Sequence, residues 1–90
     1  MDKTVKEKRV CEVLTHYGVT DRLVAVTPNG GVVVYVPAWC LGERYENMYE
    51  DIKDVLHDGS EVMIFHARDA SGVNGFISKN MTLLKERGWI

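Results

Sequence analysis

Tyr45-Glu46-Asn47-Met48-Tyr49-Glu50-Asp51-Ile52-Lys53-Asp54-Val55-Leu56-His57-Asp58-Gly59 is the stretch on which the fold turns. Tyr45, Met48, Tyr49, Ile52, Val55 and Leu56 recur at helical spacing, so a helix of 3.6 residues per turn gathers all six on one stripe. Glu46, Glu50, Asp51, Asp54 and Asp58 then fall on the opposite half of the wheel. The segment predicts an amphipathic helix with an acidic outer face, stopped at Asp58-Gly59, where the sequence turns strand-forming.

Outward from this helix the chain is punctuated by single turn residues. Val10, Val13, Leu14 and Tyr17 predict a first helix over 4–17, with Gly18 as its left-handed cap. Leu23–Val26 and 32–36 are β-branched and apolar, and Thr27-Pro28-Asn29-Gly30 between them predicts an antiparallel hairpin. Two turns fit: a type I turn with Pro28 second and Gly30 as the bulge residue, or a type I′ turn on Asn29-Gly30. Val62–Ala67 is apolar on both alternating faces, which predicts a central strand covered twice. Phe76, Ile77, Asn80, Met81 and Leu84 predict a last helix, with Asn74 or Ser78 as N-cap and Gly88 as its stop. The order α-β-β-α-β-α reads as one α+β domain over 1–90, a three-stranded sheet whose N-terminal hairpin pair packs against helices.

Composition narrows the function classes. Ninety residues with 46% hydrophobic and 27% charged side chains, eight Gly and two Pro, describe a globular chain rather than a disordered tail. A chain this short buries only about 60 to 65% of its unfolded surface, which commits most apolar residues to the core. Eleven Lys and Arg against thirteen Asp and Glu give a net charge of −2, so no global basic field draws in phosphates. The charge is sorted instead, with Lys3, Lys6, Lys8 and Arg9 near the start and the acids concentrated between 41 and 60. Cys11 and Cys40 stand alone, without a Cys-x-x-Cys pair or an apolar leader, and predict buried thiols in a reducing cytoplasm. The longest apolar run, 32–40, is far short of the ~20 residues that cross a bilayer.

Catalytic and metal patterns are thin. His16, His57, His66, Cys11 and Cys40 include no pair at i, i+3 or i, i+4 on one helix, so neither a metal site nor a cofactor is expected. His66, on an apolar strand, reads as a core imidazole bonded to backbone. No histidine is placed to make a thiolate of either cysteine, and Glu46 with Glu50 reads as a solvated helix face rather than an acid/base pair. Pro28-Asn29-Gly30-Gly31 is a hairpin tip, not a phosphate loop. Arg68-Asp69-Ala70-Ser71-Gly72 fits an anion if it leads straight into a helix, and otherwise is a polar turn. Trp39, in the connection Pro37-Ala38-Trp39-Cys40-Leu41-Gly42, either plugs the core, the favoured reading, or faces a partner. Trp89 reads as a docked C-terminus.

Two resemblances are local. Gly31-Val32-Val33-Val34, then Leu56-His57-Asp58-Gly59-Ser60-Glu61-Val62-Met63-Ile64, then Asp69 and Ile77-Ser78-Lys79, resemble in outline the OB-type RNA-binding repeats of polynucleotide phosphorylase. The resemblance implies a barrel that binds single-stranded RNA through aromatics, here Tyr35, Phe65 and His66. It departs where that family's third strand coincides with the 45–56 helix. Gly42-Glu43-Arg44-Tyr45-Glu46-Asn47-Met48-Tyr49, after a hairpin strand ending in Pro37, is similar to the strand-to-helix passage of HicB antitoxins, though the loop is shorter and helix one has no counterpart there. Neither resemblance transfers a role to a residue.

The function expected from these residues is that of a small non-enzymatic protein-binding domain, a regulator or inhibitor of a larger assembly. Glu46, Glu50, Asp54 and Asp58 would steer a basic partner surface, and Trp39 or a sheet edge would supply the apolar contact. The alternative is an OB-like module for RNA or single-stranded nucleic acid, with either the basic start of helix one or Arg68, Lys79, Lys85 and Arg87 as the phosphate track. Self-association through the hairpin, giving a homodimer, is also expected.

Overall fold

A computed structural model describes residues 2–68 and 70–90. Its elements are α1 (Lys3–His16), β1 (Leu23–Val26), β2 (Val32–Pro37), a 3-10 turn (Ala38–Cys40), α2 (Tyr45–Leu56), β3 (Val62–Ala67), α3 (Gly72–Lys79) and α4 (Met81–Glu86). The class is α+β, with one mixed sheet in the order β1-β2-β3. The closed barrel implied by the OB resemblance is absent, because 45–56 is helical and the three strands form an open sheet.

The hairpin forms as expected, with Leu23 opposite Tyr35 and Val26 opposite Val32. Gly30 N–H donates to Thr27 O at 2.9 Å and Thr27 N–H to Gly31 O at 2.8 Å. Gly30 has φ +84° while Asn29 is not left-handed, so the turn is type I with Gly30 as the bulge residue. A side chain there would be strained by that φ and would also press on Lys6 Nζ.

β3 runs parallel to β2, from Val32 opposite Val62 to Pro37 opposite Ala67, and α2 supplies the crossover that parallel strands require. This corrects the central placement of Val62–Ala67. The strand is apolar on both sides because helices approach both faces of the sheet, and two covered faces say nothing about position within it. β2, flanked on both sides, is the central strand, and the edge of the hairpin that stays open is the outer side of β1.

The two faces carry different cores. Val32, Val34, Val36 and Val62 pack with Val10 and Leu14 of α1 and Met48, Ile52 and Leu56 of α2. Each such side chain, taken fully out of water, contributes ~1.5–3 kcal/mol. On the other face Leu23 and Ala67 meet Val73 of α3 and Leu84 of α4, edged by Tyr35, Phe76, Ile77 and Trp89. Tyr35 stacks on Phe76 at 4.5 Å and on Phe65 at 5.2 Å between ring centroids. Trp89 docks here, as expected, 6.2 Å from Tyr35.

Three local expectations change. α2 ends on His57 in the left-handed conformation, φ 58°, one residue before the Asp58-Gly59 signal. The single helix expected around Phe76 to Leu84 is two, because Asn80 leaves helical geometry (φ −117°, ψ 21°) and its side-chain amide donates to Phe76 O at 2.9 Å, competing with the backbone ladder. Neither Asn74 nor Ser78 caps α3, which starts at Gly72 under a carboxylate from elsewhere in the chain. No helix among the described residues is long and apolar enough to cross a membrane.

Candidate functional site

The 3-10 turn after β2 decides where the tryptophan goes. Pro37 and Cys40 are buried, three residues apart on the inner side of a three-residue period, which turns Trp39 outward. Trp39 is 66% exposed and Leu41 56% exposed, so the expected core plug is Cys40 and not the indole. Burial raises the pKa of the Cys40 thiol and keeps it protonated and unreactive. Cys11 is half-buried rather than buried.

Between this turn and the start of α2 lies a cleft of about 300 Å³. Its floor is Val19, Cys40 and Met48, and its rim is Trp39, Tyr17, Glu43 and Arg44. The Arg44 guanidinium lies 4.7 Å over the Tyr17 ring, and the Tyr17 hydroxyl donates to Asp51. That hydrogen bond, with partial burial adding to it, raises the Tyr17 pKa. Apolar floor, aromatic rim and one fixed cation together suit a ligand side chain with an apolar body and an anionic or carbonyl end.

The acids separate into two groups. Glu46, Glu50 and Asp54 are exposed along α2, as the helical wheel requires. Asp58 lies beyond the helix and is already engaged, accepting from the Ser60 hydroxyl and facing Lys6 Nζ at 3.1 Å. Ser60, and after it Lys6, hold its carboxyl well below the usual carboxylate range. Asp58 is therefore tied into a structural knot that the three exposed acids of α2 do not share. In that knot Lys6, 6% exposed, also donates to Gly30 O at 2.6 Å and Ser60 Oγ at 2.8 Å. All three ammonium protons have acceptors.

The remaining candidates resolve individually. Arg68-Asp69-Ala70-Ser71-Gly72 leads into α3, though Asp69 lies outside the described residues. The helix N-terminus is occupied by Asp21, whose carboxylate accepts from Val73 N–H at 2.8 Å and Asn74 N–H at 3.1 Å. A Cβ on Gly72 would lie 2.2 Å from that carboxylate, so the place an anion would take at this helix start is filled by one from the chain. His66 lies beside Tyr45, 5.4 Å between ring centroids, but its buried Nε2 has no hydrogen-bond partner. The backbone bond expected of this imidazole is thus not made by Nε2, and burial, with Arg68 nearby, depresses the pKa. A groove of about 490 Å³ between α1 and α2 is lined by Arg9, Glu12, His16, Asp51, Asp54 and His57, yet no three His, Cys, Asp or Glu converge on a metal position among the described residues. Arg68, Lys79, Lys85 and Arg87 are exposed, with the Arg87 guanidinium 5.1 Å over Trp89.

Leu41, Arg44 and Asp21 were not singled out by the sequence as site-forming, and Lys6 only as one charge in the basic start of helix one. Leu41 had a signal, being an apolar residue next to Gly42 after a proline; the others depend on partners far along the chain. No family model matches the chain, and no curated protein or solved structure matches it.

Proposed function

We propose that the chain is a small non-enzymatic protein-binding domain, a regulator or inhibitor of a larger assembly in the cytoplasm, that presents Trp39 and Leu41 to its partner. One observation carries the reading: an indole two-thirds exposed on a tight turn, with an equally open leucine beside it and an apolar-floored cleft behind. Exposed clusters of this kind mark interaction sites, and Trp is the residue most enriched among binding anchors. Glu46, Glu50 and Asp54 extend from the cleft along a helix of about 18 Å and favour a partner with a basic rim, affecting association rate more than affinity. Asp58 is removed from this role by its engagement with Lys6.

The test is quantitative capture from the native host with the wild-type chain, Trp39→Ala and the triple reversal Glu46→Lys, Glu50→Lys, Asp54→Lys. The expected result is a protein lost at least tenfold with Trp39→Ala, and captured with flatter salt dependence by the triple variant. A captured set indifferent to both variants removes the proposal. RNA or single-stranded DNA, recovered at low salt and lost on Lys85→Glu with Arg87→Glu, would instead support the nucleic-acid reading, for which the exposed Phe65 in its stack with Tyr35 is the best available platform.

A further inference from the structure

Val32 N–H donates to Glu61 O at 2.8 Å, and Val32 sits opposite Val62. In a parallel ladder a residue that bonds across does so to both neighbours of its partner, so the alternation is fixed from this one bond. Glu61, Met63, Phe65 and Ala67 turn their backbone groups toward β2, and Val62, Ile64 and His66 turn theirs away. Among the described residues β3 pairs only with β2. Its outer side is therefore a row of N–H and C=O groups without a strand beside it. Three of the usual protections of such an edge are missing, since Val62–Ala67 contains no charged residue and no proline and is as long as the central strand. The opposite edge, β1, is four residues.

We propose that β3 pairs with β3 of a second copy of this chain, antiparallel and in register about Ile64, joining two sheets into one. The strand complements itself in this register. Ile64 meets Ile64 across the two-fold axis, and Val62 meets His66, so every outward N–H finds an outward C=O. On the α3 face, Met63 falls opposite Phe65 at the closely spaced, non-hydrogen-bonded positions. A thioether against an aromatic ring is a favourable pair. Phe65 is 44% exposed, and this contact covers it. At the ends Arg68 is brought opposite Ser60, whose hydroxyl sits between the Asp58 carboxylate and the Lys6 ammonium, so charge neither favours nor opposes this register. The contact is small, which places the association among weak, reversible ones. It is independent of the Trp39 surface.

Sedimentation equilibrium over a concentration series reaching roughly 1 mM, the range weak contacts require, reads the prediction. The wild-type chain is expected to pass from monomer to dimer. Met63→Lys and Phe65→Glu, with unchanged circular dichroism, are each expected to stay monomeric. Their equimolar mixture is expected to dimerise, because the introduced lysine then faces the introduced glutamate while native Phe65 faces native Met63. A wild-type chain monomeric throughout, a dimer insensitive to both variants, a monomeric mixture, or species larger than dimers would each overturn the proposal. Should a variant fail to fold, amide exchange of the wild-type chain decides: Val62, Ile64 and His66 N–H are expected to gain protection with concentration, and exchange independent of concentration overturns the pairing.

Discussion

The two faces of the sheet are covered by different means. On one, α1 and α2 bring long aliphatic stripes onto Val32, Val34, Val36 and Val62, and Leu14, Ile52 and Leu56 are essentially sealed. On the other, two short helices meet the sheet through Val73 and Leu84 and an aromatic stack, and Phe65, Met81 and Leu83 remain open. A helix of twelve or fourteen residues carries three or four turns of stripe, whereas α3 and α4, broken at Asn80, carry two or fewer each. The first face holds itself by area. The second depends on individual fastenings.

The sharpest way to break this contrast is to cut equally into both sides. Ile52→Ala, at a site 0% exposed, is expected to cost about 3–4 kcal/mol in denaturant unfolding, whereas Phe76→Ala, half-buried in the stack, is expected to cost about half of that. Equal losses would mean the faces are equally close-packed. Lys6→Met is next, at about 2–3 kcal/mol, because it leaves Gly30 O, Ser60 and the Asp58 carboxylate without their shared donor. Asp21→Ala is expected to cost about 1–2 kcal/mol by uncapping α3, with amide exchange accelerating at Val73 and Asn74 and not in α1.

Acid acts on the side held by α1 and α2, where both shifted groups lie. Asp58 holds its carboxyl below the ordinary range, so its contribution is present above the unfolded carboxylate pKa near 4 and is lost as pH falls through the folded value. His66 is held below its ordinary 6.5; the unfolded chain takes up that proton first, and stability drops as pH falls below about 6.5. Thermal midpoints are expected to decline from neutrality toward pH 3, and Lys6→Met is expected to flatten the lower part of the curve. The smallest effect is a gain. His57→Gly is expected to stabilise by about 0.5–1 kcal/mol by relieving a left-handed non-glycine residue.

Local periodicity made the elements legible. The stripe from Tyr45 to Leu56 and the Pro28-Gly30 turn each contain their own instructions within a few residues, and both form as read. Position within the sheet was hidden because alternation in Val62–Ala67 records which faces are covered, not which strand lies alongside. The cap of α3 was hidden because Asp21 lies 52 residues away from Val73. The exposure of Trp39 turned on whether the link after Pro37 closes into a three-residue turn, and a large indole can fill a core as readily as leave it. Of the candidate site, the α2 acids were readable from the wheel, while the departure of Asp58 from them depended on a lysine in another helix.

Lys6 joins segments 24 and 54 residues apart. The hairpin tip and the bend before β3 are thus tied to each other through the first helix, and a change that displaces that helix strips the common donor from both at once.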